Sequence, residues 1–183
     1  MSVAQYSITK LTRMNHLEGI ISEWLENTGY IVARNHKVGR LVKGGWGGEL
    51  DVIAYNPETK HLVHYEPSVD ATSWARREER FKKKFAMGRQ HVRDIPQLSF
   101  LTQEQVVSME QIAVFPAVAE ARRDFLGGKA IGMDELMSII NQFVRERGPA
   151  ALNAFPEQYP MLRTLQFALC GYYRVATTNW TAK

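Results

Sequence analysis

The chain has a single cysteine, Cys170, so it can form neither an internal disulfide nor a cysteine-cluster metal site. Its setting in "LQFALCGYY" reads as that of a buried small hydrophobe. No apolar run approaches the roughly 20 residues that span a bilayer. The opening "MSVAQYSITKLTRMNHLEG" lacks a basic-then-apolar leader pattern, so a cytoplasmic protein with no membrane partner is expected. No internal repeat or low-complexity tract is present. "GGWGG" is not followed by Gly-Lys-Ser/Thr and is not a phosphate loop. His61 and His64 are spaced like zinc ligands of a helix, but on a strand that odd spacing puts them on opposite faces, which excludes a zinc pair. No recognition helix or base-reading motif is evident.

What remains is enough for one domain with a real core, 183 residues of which 45% are apolar. A net charge of +4 and a pI near 9.2 suit a polyanionic partner. Residues 14 to 27 place Leu17, Ile20, Ile21, Trp24 and Leu25 at helical spacing, with Asn15 as N-cap, Glu18 completing a capping-box pattern and Gly29 as the stop. "YIVARN" reads as a strand, and "HKVGRLVKGGWGG" as a basic hairpin or mobile loop. "ELDVIAY" and "HLVHYEPSV" read as strands joined at Asn56-Pro57. A long helix over 73 to 93 follows, with Ser73 as cap and Trp74, Phe81, Phe85 and Val92 near one face. "QIAVFPAV" reads as a central buried strand and "GKAIGM" as another. A helix capped by Asp134 and an apolar helix around 159 to 173 complete the chain. This order predicts an α/β three-layer sandwich, a central mixed sheet flanked by helices, antiparallel early and parallel later. One domain spans 1 to 183, with a core over about 14 to 147 and a helical extension over about 148 to 183.

The chemistry concentrates in "GGELDVIAYNPETKHLVHYEPS". Alternation points His64, Glu66 and Ser68 to one face, and counting back from the turn brings Asp51 and Glu66 close across the ladder. Two carboxylates side by side repel unless a cation or proton sits between them. A hard divalent ion such as Mg²⁺ prefers oxygen ligands and meets that need. Asp51 alone reads equally as a strand-start carboxylate. Glu66 ends a largely apolar strand, where a lone charge is costly unless paired. Glu49 reads as a solvated neighbour, His64 as a packed histidine, and Glu18 already has a structural role in the cap.

Four pieces in order resemble the PD-(D/E)XK nuclease superfamily, the restriction-endonuclease-like fold, over about residues 16 to 93. They are the opening helix "HLEGIISEWLENTGY" with Glu18, the strand "GYIVARN", "GELDVIAY" with Asp51, and "LVHYEPS" with Glu66. The resemblance implies a metal-dependent DNA endonuclease that hydrolyses phosphodiesters. Asp51, Glu66 and the backbone carbonyl of Pro67 would hold Mg²⁺ or Mn²⁺, with Glu18 assisting directly or through water. The family's lysine two residues after the glutamate is replaced by Ser68, whose hydroxyl carries no positive charge. Three readings stay open. A cation from the next helix, Lys82, Lys83, Lys84 or Arg76, takes the lysine's place. Alternatively the metal suffices, with Ser68 holding the water. Or catalysis is lost and a nuclease-fold DNA-binding, structural or interaction protein remains. Pro67 removes a ladder donor and suggests a strand edge or bulge.

The segment "ARREERFKKKFAMGRQHVR" carries eight lysines and arginines against two glutamates. Such a helix is often merely solvated. Beside two carboxylates, however, its Arg76, Arg77, Arg80, Lys83 and Lys84, together with Arg40 and Lys43 of the earlier basic stretch, favour DNA, most simply double-stranded. A homodimer is a reasonable arrangement for cutting two strands.

Overall fold

A computed structural model describes residues 15–70 and 72–173. The first fourteen residues, on which much of the leader reading rests, and the last ten of the C-terminal extension lie outside the described residues.

The described residues form a six-stranded mixed sheet in the order β1-β2-β3-β4-β6-β5. The strands are β1 (Ile31–Arg40), β2 (Trp46–Tyr55), β3 (Leu62–Pro67), β4 (Glu110–Phe115), β5 (Asp124–Phe125) and β6 (Gly128–Gly132). β1, β2 and β3 pair antiparallel, while β4 runs parallel to both β3 and β6. That is the expected change from hairpin to crossover, and the α/β sandwich reading holds. The helices are α1 (His16–Asn27), α2 (Trp74–His91), α3 (Gln103–Val107), α4 (Met133–Arg147), α5 (Ala150–Asn153) and α6 (Pro160–Leu169). None is long and apolar enough to cross a membrane.

Alternation along the strands builds two cores. Val52, Ala54, Val63, Tyr65, Ile112 and Val114 meet Ile20, Ile21 and Leu25 of α1, Leu136 and Ile140 of α4, and Leu162 of α6. On the opposite face, Phe81 and Phe85 of α2 pack on Ala113, Phe115 and Phe125, while Ile53, Tyr55 and Leu62 meet Val92, Ile95 and Leu98 beyond the helix. The C-terminal helix belongs to the first core. The buried Glu23 of α1 accepts hydrogen bonds from the backbone N–H groups of Met161 (3.0 Å) and Leu162 (2.9 Å), donors that an isolated helix start leaves unsatisfied.

The basic segment after Asn35 forms the hairpin: β1 runs to Arg40, 41–45 turn with Gly44 and Gly45 at φ 88° and 87°, and β2 returns from Trp46. Several local expectations change. Ser73 precedes α2 without a side-chain cap bond. Asp134 lies inside the first turn of α4, which Gly132 precedes. Cys170 is half-buried at the end of α6. Pro67 lies in an interior strand, not at an edge or bulge. The reason is that the β2–β3 ladder ends at Val52–Tyr65, while the Ser68 N–H donates to the Val114 carbonyl (2.8 Å) on the β4 side. N–H direction alternates along a strand, so the donor missing at 67 faces the side where no ladder continues.

Candidate active site

β2 and β3 place the two carboxylates. Their register pairs Val52 with Tyr65, and one step further Asp51 comes opposite Glu66. Instead of a ladder bond, the Asp51 N–H donates to the Glu66 side chain at 3.4 Å. Across β1, Asn35 sits opposite Asp51 at φ 48°, and no 35–51 pair forms in the ladder. The side-chain amide of Asn35 instead lies within reach of Glu18.

α2 covers this face and supplies the cation. Its apolar residues Phe81 and Phe85 point into the sheet, so Lys84, one position before Phe85, tilts inward while Lys82 and Lys83 stay in solvent. The Lys84 ammonium donates to Asp51 Oδ2 at 2.8 Å and forms an ion pair with Glu66 Oε2. Burial works against its charge, but the two carboxylates outweigh burial and raise its pKa. Burial and the neighbouring Glu66 push the Asp51 carboxyl up, against the pull of Lys84. Burial acts on Glu66 in the same sense, yet His64, Asp51 and Lys84 together hold it well below the usual carboxylate range.

Glu66 is fully buried, and a chain of hydrogen bonds stands behind it. Arg89 Nε donates to Gln111 Oε1 (2.8 Å), and Gln111 Nε2 donates to the Phe85 carbonyl (2.8 Å), which together orient the amide. That same Nε2 faces His64 Nδ1 at 3.3 Å, so Nδ1 is the acceptor. The His64 proton then sits on Nε2 and is donated to Glu66 Oε1 at 2.8 Å. Oε1 is thus committed to the protein, and Oε2 is the oxygen presented to a cation. Gly88 makes room for the imidazole: a Cβ there would lie 2.5 Å from His64 Nδ1. Both ring nitrogens are held, so the ring cannot yield. Gly88→Ala is expected to destabilise the protein by about 1–3 kcal/mol in urea denaturation, despite alanine's better helix propensity.

The other sequence-derived residues divide. Glu18 is buried in the first turn of α1, where burial raises its pKa against opposing hydrogen bonds from Asn15 and Asn35 and the Lys84 charge. Among the described residues, no third Asp, Glu, His or Cys joins the Asp51–Glu66 pair in a metal-holding group. Ser68 is buried and bound by Arg80 Nη2 (2.7 Å). Pro67, Ser68, Arg80 and Lys84 line one small cavity with Asn15. Arg77 folds its guanidinium over Phe115, 4.9 Å from the ring centre. Arg40, Lys43, Arg76 and Lys83 are exposed. His61, on the other side from His64, meets Tyr30 and Glu110. Glu49 is half-buried at the near end of β2.

Sequence reasoning missed Asn35, Gln111 and Arg89. Gln111 carried a faint signal, as an amide opening the apolar run "QIAVF". Asn35 and Arg89 carried none, because their roles follow from strand register and helix rotation.

Compared with family models, curated proteins and solved structures, the chain matches none of them.

Proposed function

We propose that the protein is a Mg²⁺- or Mn²⁺-dependent DNA endonuclease of the PD-(D/E)XK type, acting in the cytoplasm, in which Lys84 of α2 stands in for the lysine replaced by Ser68. One observation carries this reading: a lysine from the following helix reaches both carboxylates and lines one cavity with Ser68.

The donor set suits a hard divalent ion. Asp51 Oδ2 and Glu66 Oε2 converge on one cationic group, and that group is here an ammonium. Mg²⁺ is commonly held by one or two carboxylates together with waters and substrate phosphate oxygens, so two protein carboxylates are sufficient. The Pro67 carbonyl and, through water, Glu18 are the further oxygens this reading assigns. A bound Mg²⁺ would polarise the phosphoryl oxygen and lower the pKa of the attacking water.

The chain's own residues do the rest. His64 keeps Glu66 Oε1 occupied and so fixes which oxygen faces the cleft. Lys84, charged and partly shielded from solvent, orients the attacking water and stabilises charge developing on the phosphate. The exposed Arg40, Lys43, Arg76 and Lys83 provide phosphate contacts for duplex DNA, whose binding should weaken with salt.

Nicking of supercoiled plasmid with Mg²⁺ or Mn²⁺ tests the reading. Wild type should cut, whereas Asp51→Ala should fall to background while still binding DNA. Binding without cutting in the wild type would leave the second reading, a catalytically silent nuclease fold. The Lys84 ion pairs themselves favour that second reading only if divalent ions cannot displace them.

A further inference from the structure

Beside the carboxylate pair lies a cavity of about 220 Å³, lined by Asn15, Ser68, Asp70, Arg80, Phe81 and Lys84 among others. Of its lining, the metal reading uses only the Pro67 carbonyl and Lys84. We propose that it is a phosphate subsite, with Arg80, Ser68 and Lys84 as donors, and that the Asp70 carboxylate occupies the Arg80 fork until a phosphate replaces it.

Two cations, Arg80 and Lys84, stand in the lining against one carboxylate, Asp70. Arg80 offers five N–H groups in a fixed plane. Nη2 meets Ser68 Oγ at 2.7 Å, Nη1 pairs with Asp70, and Nε is buried with no partner among the described residues. The guanidinium also lies 5.2 Å from the Phe81 ring centre, which restricts its swing. Arg80 and Lys84 are four residues apart on α2 and so project to the same side. The Ser68 hydroxyl can rotate to donate once an anion arrives.

The anion now in that fork is weakly held. Asp70 follows β3, and its side chain is half exposed to water. Exposed ion pairs contribute little, and Asp70 meets Arg80 through Nη1 alone, so a phosphate that engages two guanidinium nitrogens can take its place. Its backbone is held separately, by Arg77 Nη2 donating to the Asp70 carbonyl (2.6 Å), so the side chain can leave without the chain moving. The volume equals about seven waters at ~30 Å³ each, room for a phosphate group and its shell.

Arg80 and Lys84 flank the cavity, so its phosphate would be a neighbour of the one attacked. That placement rests on the nuclease reading; phosphate binding itself does not. The test is calorimetric titration of the full-length, metal-free protein with short oligothymidylates bearing a 5′-phosphate or a 5′-hydroxyl. Arg80→Gln should weaken binding at least about tenfold, through loss of a charge-assisted fork. Asp70→Asn, which removes the competing charge, should tighten it several-fold. Tighter binding of the phosphorylated strand assigns the site to a strand end. Equal binding of both strands, each weakened by Arg80→Gln, assigns it to an internal phosphate. Three results would overturn the subsite: affinity indifferent to Arg80, an equal loss from Lys82→Gln at an exposed position outside the cavity, or weakening by Asp70→Asn. Arg80-dependent binding in a protein that never cuts DNA would leave the subsite standing and sink the nuclease.

Discussion

Lys84→Ala is expected to lower metal-dependent DNA cutting by about 100- to 10,000-fold, the range for a lost proton-transfer or charge-stabilising group. Adding Ser68→Lys in the same protein should return a measurable part of it. The first effect follows because Lys84 is the one cation of α2 that reaches both Asp51 and Glu66; Lys82 and Lys83 are exposed, and Arg80 is committed to Ser68 and Asp70. The rescue follows because Ser68 and Lys84 line the same cavity, so a long side chain from position 68 starts beside the vacated place. Single-turnover cleavage of plasmid at saturating Mg²⁺ measures both. Lys84→Ala also leaves two carboxylates facing each other without a counter-ion, so its melting temperature in EDTA should fall and recover with Mg²⁺. Undiminished cutting by Lys84→Ala would remove the lysine from the mechanism. Loss without rescue, with a normal fold, would mean that the ammonium must approach from α2.

Much of this site can be read from strand parity. Alternation from the Asn56-Pro57 turn is enough to face Asp51 toward Glu66, and the register has them there. The same alternation separates His61 from His64. The choice among Lys82, Lys83, Lys84 and Arg76 was not legible. It depends on the rotation of α2 about its axis, which Phe81 and Phe85 set by packing against Phe115 of β4 and Phe125 of β5, far along the chain. The Arg89–Gln111–His64 chain was illegible for a related reason: β4 joins β3 only through a parallel pairing, which local sequence does not specify. Pro67 shows the opposite failure. A sound local rule gave the wrong place, because a strand can be interior and still have one side free at its end.

Glu66→Ala and Asp51→Asn should part in stability although both abolish cutting. In metal-free protein Glu66→Ala is expected to cost about 3–5 kcal/mol, the usual cost of removing one member of a buried, hydrogen-bonded charge group. It strips the acceptor from His64 Nε2, which is fully buried, and leaves Lys84 with one partner. Asp51→Asn keeps the shape and removes a charge that the fold resists. Burial and Glu66 raise the Asp51 pKa, so the folded state holds this proton more tightly than the unfolded chain. The stability Asp51 contributes is therefore full below about pH 4 and is lost as pH rises toward its raised folded value. The amide that Asp51→Asn introduces does not titrate, so the variant should match wild type near pH 4 and gain on it at alkaline pH, by up to about 2 kcal/mol. Glu66 has the opposite sign. Its lowered pKa gives stability above about pH 4.3 that is lost as acid drives the pH down through its folded value. Urea denaturation in EDTA from about pH 2.5 to 9 separates the two. Mg²⁺ should then raise the stability of wild type and not of Asp51→Asn, since only a ligand that binds the native pair shifts the equilibrium. Parallel pH profiles for wild type and Asp51→Asn would mean that Lys84 neutralises the pair completely. The carboxylates would then hold no excess charge for a divalent ion to relieve, and the site would be a closed salt bridge instead of a metal centre.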